Sequence, residues 1–145
     1  VIWLSEIMHQ SFQKLTELAK KLREECPWDR KQTIQSFYPF ILKEAKEFDE
    51  AAKRGDAEGM KDELGDVLWD IFFIAELAEK EGLFRLKDVL DNAHEKYVRR
   101  HPHVFKGEPD DEETLHRRWE EIKKEERDGK IKKAQKQKSA ETTDR

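Results

Sequence analysis

The chain has 145 residues, a formal net charge of −4, 43% charged side chains and a single cysteine, Cys26. That length is one domain's worth with a modest core, the acidic balance argues against a general nucleic-acid-binding surface, and one thiol excludes an internal disulfide. No run approaches the roughly 18 apolar residues of a membrane span. No signal peptide is visible and the chain starts at Val1, a possible fragment boundary, so the expected location is the cytoplasm.

Residues 4 to 24 read as an amphipathic helix, with Leu4, Met8, Phe12, Leu15, Leu18, Ala19 and Leu22 at helical spacing. It should stop before Cys26-Pro27, because the residue ahead of a proline avoids the helical region. In the rigid turn Cys26-Pro27-Trp28-Asp29, Trp28 either plugs the core or offers a flat wall to a ligand ring. A second helix is expected over 31 to 54; Gly55 ends it and Asp56 caps a third over 57 to 80. The third is the most apolar, with Met60, Leu64, Val67, Ile71, Ile74 and Ala78 in its stripe and Trp69, Phe72 and Phe73 widening it. So wide a face is either covered by the first and fourth helices or an oligomer interface.

Gly82 breaks the pattern, and a fourth helix is expected over 86 to 100. Lys96 and Arg100 lie four apart at its end, either complementing the helix dipole or binding phosphates above a cation. A fifth helix, 110 to 127, carries Leu115, Trp119 and Ile122; residues 128 to 145 lose the apolar period and read as a basic, polar, disordered tail. No strand signal, internal repeat or phosphate-binding glycine loop is present. The expected fold is all-α, a bundle of about five helices forming one domain over 1–127.

Two carboxylate pairs organise this bundle, Glu44-Ala-Lys-Glu47 and Glu63-Leu-Gly-Asp66. Spacing of i,i+3 puts each pair on one side of its helix. The stripe of the second helix (Phe37, Ile41, Ala45, Phe48, Ala52) centres near Ile41, and Glu44 and Glu47 lie roughly 60° and 120° to one side. Glu63 and Asp66 lie roughly 70° and 130° from the centre of the third helix's stripe, on the same rotational side. In an antiparallel hairpin both pairs then converge on one face. Four converging carboxylates can hold a hard divalent cation that in turn binds phosphates; the plain alternative is a solvated acidic face. Two E-x-x-H pairs, Glu6/His9 and Glu113/His116, have di-iron spacing, but Glu6 and Glu113 lie roughly 160° from Met8 and Leu115 and point away from the stripes.

Cys26-Pro27-Trp28-Asp29 with Gln32-Thr33, the two acid pairs, Arg99-Arg100-His101-Pro102-His103-Val104-Phe105 and Trp119-Glu120-Glu121-Ile122-Lys123 occur in this order. The set resembles MazG-type nucleoside triphosphate pyrophosphohydrolases over roughly residues 8 to 127. The resemblance implies an all-α homodimer that cleaves NTPs or dNTPs to nucleoside monophosphate and pyrophosphate with Mg²⁺, or Mn²⁺ as a substitute. It makes Glu44, Glu47, Glu63 and Asp66 the metal ligands and Lys96 and Arg100 the phosphate contacts. Trp119 and Lys123 match positions that contact the nucleotide, and Trp28 one near the site.

Three positions depart from the family pattern: Lys43 replaces the first acid of E-E-x-x-E, His94 stands where Asn is usual, and Ile34 where many members have His. In the implied mechanism Glu44, Glu47 and Glu63 are the candidate bases for an attacking water, with Glu47 the choice. Nucleotide-pool cleaning is a fitting role, with nucleotide as the expected partner and neither nucleic acid nor membrane. The alternatives are a non-catalytic helical interaction module and a narrower dUTPase- or dCTPase-like activity on the same fold.

Overall fold

A computed structural model describes the backbone of residues 2–143 and the side chains of residues 5–130. The described residues form helices α1 (Ile2–Glu25), α2 (Ile34–Arg54), α3 (Ala57–Lys80), α4 (Leu86–Arg100), α5 (Pro102–Phe105) and α6 (Glu112–Thr143), with a single 3-10 turn at Asp29–Lys31. No strand occurs among them. The chain divides into two compact units, residues 1–89 and 90–145, with the boundary inside α4.

Local chemistry sets the ends of the helices in the first unit. Thr33 and Ser36 form a reciprocal capping box, Ser36 N–H donating to Thr33 Oγ1 at 3.1 Å and Thr33 N–H to Ser36 Oγ at 2.9 Å. That box starts α2 three residues later than the apolar pattern suggests, and residues 29–31 form their own turn. Gly55, with φ +67°, closes α2 in the left-handed conformation that glycine adopts at least cost. Asp56 accepts from Gly59 N–H at 3.0 Å and opens α3. Two residues therefore join α2 to α3 and make them an antiparallel hairpin.

The core of this unit is small and aromatic. Phe37, Phe72, Phe73, Leu77 and Ala19 are buried together, with Leu15, Ile34, Phe40, Trp69, Ile74 and Leu86 against them. Phe37 and Phe73 lock the hairpin with ring centroids 4.4 Å apart, and Phe12 of α1 packs edge-on against Phe72 at 4.9 Å. Part of the wide α3 face is thus covered by α1 and the start of α4. Leu64 and Leu68 on α3, and Leu42 on α2, remain 56%, 45% and 65% exposed.

The inward line of the hairpin differs from the one the apolar residues alone suggest. Ala45, Ala52 and Leu64 face solvent, whereas Ala51, Phe73 and Leu77 are buried. The stripe of α2 therefore runs through Phe37, Ile41, Phe48 and Ala51, and half-buried Glu44 and Glu47 fall on it instead of beside it.

The second unit holds an element that sequence spacing misses, the four-residue α5, begun by Pro102 at the first helical position. Helix α6 runs past the boundary expected at 127, to Thr143. Lys, Ala, Gln and Glu fill most of residues 130–141; these strong helix formers propagate a helix without an apolar stripe. Tail residues 144 and 145 lie outside the described residues. No helix among the described residues is long and apolar enough to cross a membrane.

Candidate metal centre

The hairpin brings three of the four expected ligands together: oxygens of Glu44, Glu63 and Asp66 all lie within 4.8 Å of one another. Glu44 and Glu63 are half-buried and Asp66 is exposed, so the group sits at a rim where a cation can enter. Burial raises the Glu63 carboxyl above its ordinary range, and the charges of Glu47, Glu44 and Asp66 push it further the same way.

Glu47 stands beside this triangle, within hydrogen-bond reach of Glu44 and Glu63, and is paired with Lys43. Lys43 Nζ lies 2.9 Å from Glu47 Oε1 and 3.1 Å from Glu44 Oε1. The hydrogen bond from Lys43 is the main reason the Glu47 carboxyl is lowered, and the same two partners raise the Lys43 ammonium. The departure from the family pattern at position 43 thus supplies a tethered cation on two of the four acids.

The sequence reading missed a fifth carboxylate. Asp70 is 4% exposed and its Oδ2 has no hydrogen-bond partner among the described residues. Burial pushes its carboxyl up to about 6, with Glu44 and Asp66 adding to the rise and Lys43 opposing it. The signal was available, since Asp70 follows Asp66 by four residues and Glu63 by seven, on one helix face. A set of oxygen donors of one charge sign, partly shielded from water and backed by an unpartnered buried acid, fits a hard divalent cation.

In the second unit, Arg99 and Arg100 both donate to Glu126 on α6. Their Nη2 atoms lie 2.5 and 2.6 Å from its two oxygens, and their Nε atoms 3.1 and 3.2 Å away. Arg100 first, then Arg99, hold the Glu126 carboxyl down at about 2. The Arg100 guanidinium also lies 5.2 Å from the centre of the Trp119 ring, so two expected ligand contacts meet, with the arginine charge already paired. Lys96 lines a cavity of about 440 Å³ with Asn92, Arg99, Ile122 and Glu126, and Lys123 donates to Glu120 at 3.0 Å.

Trp28 is not a core plug. It is 53% exposed and rests edge-on against Phe40 and Phe37, with centroids 6.0 and 6.4 Å away, which leaves a ring face for a ligand. Glu6, His9, Glu113 and His116 are all exposed, and no metal-binding group other than the Glu44 triangle occurs among the described residues.

Residues 32–105 match the family described as the MazG nucleotide pyrophosphohydrolase domain. The nucleoside triphosphate pyrophosphohydrolase/pyrophosphatase MazG of Thermotoga maritima is 42% identical over 118 residues, covering 80% of this chain and 45% of that protein. The nucleoside triphosphate pyrophosphohydrolase of Escherichia coli is 37% identical over 118 residues, 79% of this chain and 45% of its own length. The chain therefore spans less than half the length of these curated relatives. The crystal structure of a mazG-related protein from Thermotoga maritima superposes with a TM-score of 0.68 at 28% identity, covering 77% of this chain and 98% of that one.

Proposed function

The chain belongs to the MazG nucleotide pyrophosphohydrolase family, and on that premise we propose that it hydrolyses nucleoside triphosphates, ribo or deoxy, to nucleoside monophosphate and pyrophosphate. The observation that carries this reading is the convergence of Glu44, Glu63 and Asp66 oxygens within 4.8 Å on the α2–α3 hairpin. Glu44, Glu47, Glu63 and Asp66 would hold Mg²⁺, with Mn²⁺ as a working substitute. Bound there, the cation would supply positive charge to offset the polyphosphate and the charge that develops at the reacting phosphorus.

Other residues of the chain supply the rest. Lys96 and Arg100 anchor the departing pyrophosphate by charge, while Trp28, Trp119 and Lys123 contact the nucleoside side. Glu47 accepts the proton of the attacking water, with Lys43 paired to its Oε1. Glu63 is the second candidate for that base, on the facing helix of the hairpin. Residues 1–127 act as one domain in this reading. The exposed Leu42, Leu64 and Leu68 support a homodimer, and nucleotide-pool cleaning in the cytoplasm is the role that fits.

Product analysis tests the reaction class. Each NTP and dNTP is supplied with Mg²⁺ to wild type, Glu47→Gln and Glu63→Gln, and folding is followed by circular dichroism. Wild type should release monophosphate and pyrophosphate, and the variant lacking the base should lose about 10²–10⁴-fold in rate with its fold intact. Turnover of dUTP or dCTP alone would narrow the substrate. Release of orthophosphate would overturn the assigned bond, and no turnover by folded wild type would favour the interaction module.

A further inference from the structure

Asp70 is out of place as a packing residue. It lies on α3 in the apolar run Trp69-Asp70-Ile71-Phe72-Phe73, with buried Phe73 and Leu77 on the following turns. Asp70 Oδ2 is the buried side-chain polar atom that lacks a partner among the described residues. An acid buried without a partner is costly, and an apolar residue of similar size would pack there without that cost. The surroundings aggravate the problem, since Glu44 and Asp66 act on Asp70 with like charge and the opposing charge comes from Lys43 alone, 58% exposed.

A divalent cation at the rim reverses that balance. It would turn the local field from repulsive to attractive for a carboxylate on the inner side. Asp70 is not one of the three residues whose oxygens lie mutually within 4.8 Å, and it is buried where Asp66 is exposed, a placement that suits contact through the cation's water shell. Mg²⁺ dehydrates reluctantly and usually keeps several of its waters, and buried carboxylates commonly accept hydrogen bonds from such an outer shell.

We propose that Asp70 is a fifth carboxylate of the centre, one that faces a bound divalent cation from its buried side and accepts a hydrogen bond from a water the cation carries. This rests on the metal-centre reading above and adds a residue to it. Asp70 is a positioning residue in this scheme: it holds the hydrated cation against Glu44, Glu63 and Asp66 and touches no reacting atom.

The test is Mn²⁺ binding to the full chain without nucleotide, with free Mn²⁺ read by electron paramagnetic resonance. Wild type is compared with Asp70→Asn and Asp70→Leu, and thermal melts in EDTA report folding. Both variants should bind Mn²⁺ about 10–100-fold more weakly and should melt in EDTA at or above the wild-type temperature. Should one variant not fold, the other carries the comparison. Wild-type affinity in a folded variant would overturn the role of Asp70 and leave the metal centre standing. No Mn²⁺ binding by wild type would overturn the metal centre, and this inference with it.

Discussion

The hairpin of the first unit and the α4–α6 pair of the second each gather charge, with opposite results. On the hairpin, Glu44, Glu63 and Asp66 crowd together and buried Asp70 has no partner for its Oδ2 among the described residues, with Lys43 as the counter-charge. Between α4 and α6, two arginines meet one carboxylate through four hydrogen bonds, two of them short. Charge that is already paired supports structure, whereas charge left in excess needs a ligand. A phosphate that reaches Arg100 must share that guanidinium with Glu126.

The largest effect that sharpens the contrast is metal-dependent stability. Mg²⁺ at a hundred times its dissociation constant should stabilise the protein by about 2.7 kcal/mol, read as a melting temperature several degrees higher. Glu63→Gln should remove most of that shift, and an unchanged wild-type melt at millimolar Mg²⁺ would break the contrast.

Next in size is the paired side. Glu126→Gln should cost about 1.5–3 kcal/mol in thermal melts, the range for hydrogen bonds to charged groups, whether or not Mg²⁺ is present. Its folded carboxyl sits at about 2, below the ordinary 4.5. Its contribution is therefore fully present above about pH 4.5 and is lost as pH falls toward 2. The stability difference between wild type and Glu126→Gln should shrink across that window, and a constant difference would count against the pairing.

The smallest effect concerns Lys43, whose ammonium occupies Glu44 and Glu47. Lys43→Ala should tighten Mn²⁺ binding severalfold, the modest scale of an exposed ion pair. Equal affinities would show that Lys43 does not compete with the metal.

Much of this was legible in the sequence where local chemistry decides. Helices α3 and α4 have the expected bounds, and α3 has them because Gly55, Asp56 and Gly82 act within a turn of their own position. The acid pairs were legible for the same reason, since i,i+3 spacing places side chains directly. Facing was harder. Ala45 and Ala52 counted as apolar yet carry too little surface to set a helix's rotation, which the Phe37–Phe73 contact fixes. Glu126 escaped notice because its partner lies 26 residues away, beyond any periodic pattern. Asp70 escaped because, within an apolar run, one acid reads as an interruption until its burial is known. Trp28 shows a further limit, as spacing does not tell a plugged ring from one resting half-exposed on the core.

The two-residue link between α2 and α3 has a consequence for how the molecule acquires its chemistry. Glu44 and Asp66 are brought together by closing a short stretch of chain, and the entropy of closure grows only with the logarithm of its length. Contacts so close in sequence form quickly, ahead of those that join distant segments. The acidic triangle is therefore expected to be among the first tertiary features to appear during folding, and a cation present at that stage would bind to the nascent hairpin and favour it over the unfolded chain.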